Sequence, residues 1–435
     1  MSPIQISIKD YRAVKSAEIA MNGITLISGI NSSGKSSISR LLYYAFKYAN
    51  DYESMANSSA ILELRPIDRL VHNSTMEFRR NEFLGEMRHY YRLAEESSSL
   101  DLKVNSYCVA LELFKEFIAK NENNRDSINE SAFARFRSII DVSILGKRSG
   151  KNTSLSELID DVIKKTRGIK EKADSIASAR GYALYKKNLA GILEDDIKNV
   201  RITEYGVPFV GKDVTNIPVL NYIQQTVYID TPMIVGMNKY MWYPIMEYWR
   251  DLNQLLEIPV QKSYSHSINQ YIKSIIHGGS YYDDSLSFKG NMKYKRDDGL
   301  VIDLMDSATG IKSFSLLQTL LRNGVINENT LLIIDEPEAH LHPQWIVEYA
   351  RIIVMMHKRL GTKFFIASHS TDFVSAIKYI AEKQKVQKSL SFYIAEEDAN
   401  KPFSYNYKSI GTDIEPIFAS FNKSLDKIGE YGGWQ

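Results

Sequence analysis

Lys35 and Ser36 close the run Gly29-Ile30-Asn31-Ser32-Ser33-Gly34-Lys35-Ser36, which fits the phosphate-loop pattern G-x-x-x-x-G-K-[ST] at every fixed position. The glycines let the chain curl until backbone N–H groups converge on an anion, and the following helix adds partial positive charge at its N-terminus. The Lys35 ammonium can reach β and γ phosphates, and the Ser36 hydroxyl can enter the shell of a Mg²⁺ ion. Far downstream, Thr330-Leu331-Leu332-Ile333-Ile334-Asp335-Glu336-Pro337 is an apolar run ending in two carboxylates. Asp335 is placed to hold a Mg²⁺ hydration shell, and Glu336 to orient and polarise an attacking water. A third run, Lys363-Phe364-Phe365-Ile366-Ala367-Ser368, ends at His369, whose ring can hydrogen-bond a γ-phosphate or that water. Together these groups have the chemistry of nucleotide hydrolysis.

Several elements must position them. Gly23–Ser28 reads as a strand entering the loop and Ser37–Phe46 as the helix leaving it. The Thr330–Asp335 run, apolar on both faces, suits the middle of a parallel sheet, whose C-terminal strand ends hold ligands. Residues 4–8 alternate as a further strand, with a hairpin partner beginning at Ala17–Ala20. Arg12, between them, suits a nucleotide contact or a solvated turn equally. Asp306-Ser307-Ala308-Thr309-Gly310-Ile311-Lys312-Ser313-Phe314 brings small hydroxyl residues and a glycine to a helix start, a second anion-binding surface that could serve a nucleotide held by another copy. His340 and His342, spaced i, i+2 without a cysteine or carboxylate cluster, are poor zinc ligands and read as a loop beside the nucleotide.

From about Lys47 the pattern turns helical, and residues 67–207 contain no proline. Ala110–Lys120, Leu155–Ile163 and 182–193 carry apolar residues at helical spacing, and Ser154 with Glu157 forms a capping-box start. Polar breaks near 97–101, 121–130 and 146–153 predict medium helices in a bundle or short hairpin arm. The basic clusters Lys164-Lys165-Thr166-Arg167 and Lys186-Lys187 read as solvated helix faces. Strands return at 200–203, 207–210 and 225–230, then helix at 238–276. Gly278-Gly279-Ser280 reads as a turn, 286–288 and 292–295 as hairpin strands, and 300–304 as another strand. Leu390–Ala395 is expected to be the final strand before a polar tail, with Glu396-Glu397-Asp398 a solvated acidic turn.

Composition agrees with a globular protein: 435 residues, 44% hydrophobic and 24% charged, with ample apolar content for a core. A net charge of +2 gives no global field toward nucleic acid, although a local patch remains open. The single cysteine, Cys108, reads as a packed helix residue in a reducing compartment. No run approaches the ~20 apolar residues of a membrane span and no signal peptide is evident, so the expectation is a cytoplasmic protein with no membrane contact.

On these residues the chain resembles the ABC-type ATPase heads of the structural-maintenance-of-chromosomes and RecF-like group. It looks closest to anti-phage defence ATPases related to overcoming-lysogenization-defect proteins and Septu-type ATPases. The resemblance rests on Ile6–Arg12, Gly29–Ser36, Ser307–Phe314, Leu332–Pro343 and Ala367–Ser370. It implies an α/β P-loop ATPase head split by a long helical insertion: 1–49 the N-terminal part, 50–199 the insertion and 200–435 the C-terminal part. It implies ATP and Mg²⁺, with Gly29, Asn31, Ser32, Ser33, Gly34, Lys35, Ser36 and Ser37 in Walker A, and Asp335 and Glu336 in Walker B. Ser36 and Asp335 would hold the metal. Lys35, Glu336 and the switch histidine His369 would carry catalysis. Arg12 matches a nucleotide-contacting arginine, His342 the D-loop position, and Gly310 the signature glycine that faces ATP on an opposing head. The usual Leu-Ser-Gly-Gly-Glu signature is replaced by Ser307-Ala308-Thr309-Gly310-Ile311, so Ser307, Thr309 or neither takes the serine's role, and weak hydrolysis is expected. Gln224 and Gln225 match no clear glutamine-loop pattern. Two heads would sandwich two ATP molecules in a homodimer or larger oligomer. The chain after His369 is too short for a Toprim nuclease, so a nuclease-like effector is expected to be a separate polypeptide. The functional expectation is an ATPase controlling that effector in anti-phage defence; the alternatives are a DNA-repair ATPase loading on DNA and an ATP-assembled scaffold.

Overall fold

The computed structural model describes residues 2–78, 85–121, 127–146, 153–195, 197–235, 246–261, 264–283, 292–419 and 430–431. The chain divides into two compact units, Met1–Asn50 with Tyr185–Gln435, and Asp51–Leu184.

The first unit opens with the antiparallel hairpin of β1 (Ile4–Tyr11) and β2 (Val14–Met21). Ile4, Ile6 and Ile8 are buried and Gln5 is exposed, as their alternation requires. The next strand, β3 (Ile24–Ser28), is buried at every residue and passes through the phosphate loop into α1 (Lys35–Asn50). The second unit is helical. It contains α2 (Tyr52–Glu77), α3 (Gly85–Glu96), α4 (Leu100–Asn121), α5 (Ser127–Ile139) and α6 (Leu155–Ala179). Its core gathers Leu70, Leu111, Phe114, Ile118, Ile159 and Val162. The predicted capping box is present on α6, with Glu157 N–H donating to Ser154 Oγ and Ser154 N–H to the Glu157 carboxylate. Cys108 is buried on α4.

Of the helical region expected over 50–199, Asp51–Leu184 forms the second compact unit, and helix continues to Leu193. From Tyr185 on, within α7 (Tyr182–Leu193), the chain packs with the first unit, where the Tyr185 hydroxyl donates to Ala45 O at 2.8 Å. The sheet then resumes with β4 (Val200–Glu204), β5 (Val207–Val210) and β6 (Gln225–Ile229). After α8 (Glu247–Leu256) and α9 (His266–Ile276) comes a small antiparallel sheet of β7 (Gly278–Tyr282), β8 (Met292–Arg296) and β9 (Val301–Asp303). Gly278–Ser280, expected as a turn, is therefore strand. It pairs with β8, and a Cβ on Gly278 would fall 2.4 Å from Lys295 O. The strand expected at 286–288 and the start of the helix expected at 238 lie outside the described residues.

The unit ends with α10 (Thr309–Arg322), β10 (Thr330–Asp335), α11 (Pro343–Leu360), β11 (Lys363–Ala367), α12 (Thr371–Lys383), β12 (Leu390–Asp398) and β13 (Lys401–Gly411). The expected polar tail thus contains an eleven-residue strand, β13. The acidic cluster lies in β12: Asp398 accepts from Lys15 Nζ at 2.6 Å, and Glu397 accepts from Phe403 N–H at 3.0 Å. The cluster is strand where a solvated acidic turn was expected, and Glu396 and Glu397 are exposed.

The ten strands lie in the order β5-β4-β1-β2-β13-β12-β3-β11-β10-β6. Within it β12, β3, β11, β10 and β6 are mutually parallel. Asp335 is level with Ala367, and Ala367 with Ile27. The residues leaving β10, β11 and β3 therefore emerge side by side at one edge of the sheet, the place where open parallel sheets bind ligands.

Candidate functional site

The phosphate loop is held by its own backbone. Ser32 and Gly34 have φ of 67° and 97°, turning successive N–H groups inward, and α1 begins at Lys35. Two glycines are required by space. A Cβ on Gly29 would lie 2.7 Å from Ala395 Cβ and 2.8 Å from Ser33 Oγ, and one on Gly34 would meet Val14 Cγ2 at 2.8 Å. The Tyr407 hydroxyl, from the last strand, donates to Ser33 O at 3.3 Å. Asn31, Ser32 and Ser36 are exposed, and Ser33 is buried with an unpartnered Oγ.

Lys35 is buried and its ammonium donates to Gly29 O at 2.8 Å and Ile30 O at 2.9 Å. Burial lowers its pKa, and Glu336, Asp335 and Glu338 oppose that shift with their charge. Asp335, at the end of β10, is 7% exposed. Ser39 Oγ donates to its Oδ1 at 2.6 Å and the Tyr228 hydroxyl to its Oδ2 at 2.8 Å, with Ser36 also hydrogen-bonded to the carboxylate. Burial raises the Asp335 pKa against the pull of those three donors.

The next residue, Glu336, takes φ of 49°, and its N–H donates to Ala367 O at 2.8 Å. That left-handed turn brings its half-exposed carboxylate to the tip of β11, where Glu336 Oε1 lies 3.7 Å from His369 Nδ1. Glu338 Oε1 is nearer still, 3.3 Å from the same nitrogen. Lys35, Ser36, Asp335, Glu336 and His369, drawn from three strand ends, thus form one site.

The other expected residues are engaged differently. Arg12 (φ 53°) donates to Leu193 O and pairs with Asp195 at 3.5 Å, tying the first hairpin to the end of α7. Ser307 is buried and its hydroxyl donates to Leu304 O at 2.7 Å. Gly310 is buried under Trp345, where a Cβ would fall 2.6 Å from two ring carbons. His342 caps α11, its ring nitrogen accepting from Gln344 N–H at 3.4 Å. Gln224 and Gln225 stand at the start of β6, opposite the strand end that faces the site. That end carries Asp230, which accepts from the Tyr248 hydroxyl at 2.8 Å and Trp249 Nε1 at 2.7 Å.

Sequence reading assigned no role to Ser39, Tyr228, Tyr407 or Glu338. Ser39 was within reach, one helical turn after Lys35 on the same face, and Glu338 sits in the quoted run after β10. Tyr228 and Tyr407 become visible only through strand pairing.

The donor set fits Mg²⁺. Ser36 and Asp335 offer hard oxygens, few enough for an ion that keeps most of its shell from water and phosphate. No cluster of three or more His, Cys, Asp or Glu able to hold a metal occurs among the described residues. No described helix is long and apolar enough to cross a membrane.

With this geometry in view, the family described as "AAA domain, putative AbiEii toxin, Type IV TA system" matches residues 24–375. The Old nuclease of Escherichia phage P2 is 32% identical over 96 residues, 22% of this chain and 16% of that protein. The energy-coupling factor transporter ATP-binding protein EcfA3 of Clostridium perfringens is 38% identical over 72 residues, 16% of this chain and 25% of that protein. The chain thus spans at most a quarter of the length of these relatives. Among solved structures, the Smc head domain of Pyrococcus furiosus with an extended coiled coil aligns at 9% identity over 98% of this chain and 100% of that one, TM-score 0.35. The SMC head domain of Thermotoga maritima aligns at 8% identity over 94% and 99%, TM-score 0.36.

Proposed function

The chain belongs to this family of AAA domains, with the α/β fold of an ABC-type P-loop ATPase, and from that premise we propose that it binds and hydrolyses ATP, dimerises around it, and controls a nuclease-like effector in anti-phage defence. The observation that carries the ATPase reading is the meeting of Lys35, Ser36, Asp335, Glu336 and His369 at adjacent ends of parallel strands.

The loop N–H groups and the Lys35 ammonium bind the phosphates of ATP, Lys35 exchanging its two loop carbonyls for phosphate oxygens. Mg²⁺, held by Ser36 and by Asp335 through its shell, would neutralise phosphate charge. Glu336 accepts a proton from the attacking water. The water oxygen bonds to the terminal phosphorus, the bond to the bridging oxygen breaks, and its electron pair leaves with ADP. His369 contacts the γ-phosphate or the water. Arg12 supports the loop through the first hairpin, and His342 fixes the start of α11 beside the site. Gly310 and the surface around Ser307 and Thr309, at the start of α10, would face ATP held by a second copy.

The defence reading draws on the family's description and on the match to the Old nuclease, whose name is that of a nucleic-acid-cutting enzyme. The test is native mass of the chain purified with its gene neighbours, with and without ATP, in the wild type, Lys35→Ala and Glu336→Gln. Co-purification of a nuclease-like partner, with an ATP-dependent assembly that Glu336→Gln retains and Lys35→Ala loses, is the expected result. A lone ATP-dependent dimer whose turnover DNA stimulates would replace the effector role with a DNA-loading one. A particle indifferent to ATP and to Lys35→Ala would refute the sandwich.

A further inference from the structure

Glu338 is a carboxylate that the mechanism above leaves unused. Its side chain is 7% exposed, and Oε1 accepts from Ser368 Oγ–H at 2.9 Å and His369 N–H at 2.9 Å. Glu338 Oε2 is enclosed with no partner, and so is His369 Nδ1. That ring nitrogen is 3.3 Å from Glu338 Oε1 and 3.7 Å from Glu336 Oε1.

Nδ1 has a carboxylate oxygen at 3.3 Å and another at 3.7 Å but, as the ring stands, is directed at neither, in an enclosed place where unmet polar groups are costly. A small turn of the ring would let an Nδ1–H donate a charge-assisted bond to Glu338 Oε1, a relief that a bare Nδ1 lacks. The rest of the ring is open, since the His369 side chain is 42% exposed while Nδ1 is enclosed. The exposed surface therefore lies on the Nε2 side.

We propose that Glu338 is a positioning residue that fixes the His369 proton on Nδ1 and leaves Nε2 as a hydrogen-bond acceptor for the attacking water. This rests on the hydrolysis reading for its consequence and on geometry alone for the tautomer. It decides between the two contacts open to His369. A neutral imidazole with Nδ1–H has no donor at Nε2 for a phosphate oxygen, and it can accept from water. Glu336 then takes one hydrogen of the water and Nε2 holds the other, which fixes the oxygen lone pair toward phosphorus. The arrangement follows the general rule that a buried carboxylate behind an imidazole sets which nitrogen is free to act.

The experiment is a long-range ¹H–¹⁵N spectrum of the nucleotide-free full chain labelled with ¹⁵N-histidine, with His369 assigned by its loss in His369→Gln. Wild type is expected to show the proton on Nδ1. In Glu338→Leu the proton moves wholly or partly to Nε2, and kcat falls roughly tenfold to a hundredfold with KM changed less than about threefold. Glu338→Gln keeps an acceptor oxygen, so it keeps the wild-type tautomer. A wild-type His369 protonated on Nε2 overturns the proposal even if Glu338→Leu does not fold, as does an unchanged tautomer in a folded Glu338→Leu. ATP turnover no faster in wild type than in Lys35→Ala overturns the hydrolysis reading and the role toward water. The spectrum still judges the tautomer in that case.

Discussion

Replacing Tyr228 by phenylalanine removes one hydroxyl from a side chain that is 1% exposed. The ring keeps its neighbours, Tyr248 edge-on at 4.8 Å and Tyr43 at 5.9 Å, so packing is nearly conserved. What is lost is the 2.8 Å hydrogen bond to Asp335 Oδ2, one of three donors that oppose the upward push of burial on the Asp335 pKa. A hydrogen bond to a charged group is worth about 1.5–3 kcal/mol, and Tyr228→Phe is expected to lower nucleotide-free stability by that amount at a pH where Asp335 is ionised. The sign with pH follows from Asp335. Burial already raises its folded pKa, so its charge costs stability above that pKa. Removing a donor raises the pKa further, and the penalty of Tyr228→Phe fades as pH falls and Asp335 takes a proton. Urea unfolding of wild type, Tyr228→Phe, Asp335→Asn and the double variant closes a mutant cycle. The expected coupling is about 1–2 kcal/mol where Asp335 is ionised, shrinking in acid. A coupling within about 0.3 kcal/mol of zero there would refute the claim that the β6 hydroxyl favours the charged form of Asp335.

Glu336→Gln should bind ATP with wild-type affinity and lower kcat by about 10²-fold or more, whereas Lys35→Ala should lose binding itself; isothermal titration beside a phosphate-release assay separates the two. Gly310→Ala puts a methyl 2.6 Å from the Trp345 ring and should cost about 1–3 kcal/mol of stability, with Trp345→Leu in the same chain restoring part of it in thermal melts. Arg12→Ala should lower stability more than it raises the KM for ATP, because its guanidinium is spent on Leu193 O and Asp195; a large KM increase at unchanged stability would contradict this. Lys15, Asn406 and Asn400 N–H hold the Asp398 pKa down at about 2, so its stabilisation is present above the usual carboxylate pKa and lost as pH falls through about 2. Asp398→Asn should therefore melt below wild type at pH 7, and the difference should disappear between about pH 4 and pH 2.

The sequence by itself determined the parts whose signal is local. The phosphate loop is legible because its fixed positions answer to backbone curvature and one charge, and β3 and α1 flank it in the chain. β10 and β11 are legible as strands because both faces of each are buried, which leaves an unbroken apolar run ending in Asp335 or in Ser368-His369. The capping box at Ser154 is likewise local. Tertiary structure decided the rest, because it depends on which distant strands become neighbours. Nothing near Tyr228 in sequence says that β6 will lie beside β10 and deliver a hydroxyl to Asp335. Nothing near Ser33 says that Tyr407 will reach it from the last strand. Arg12 and Gly310 have side-chain or steric requirements that fit a ligand contact and an internal contact alike, and only their neighbours, Asp195 and Trp345, tell which is made within the chain. Glu338 is the clearest case. In the sequence it is one more acidic residue after the strand, and it becomes partner to His369 because β10 and β11 run parallel in register and the turn at Glu336 folds the chain back over the tip of β11.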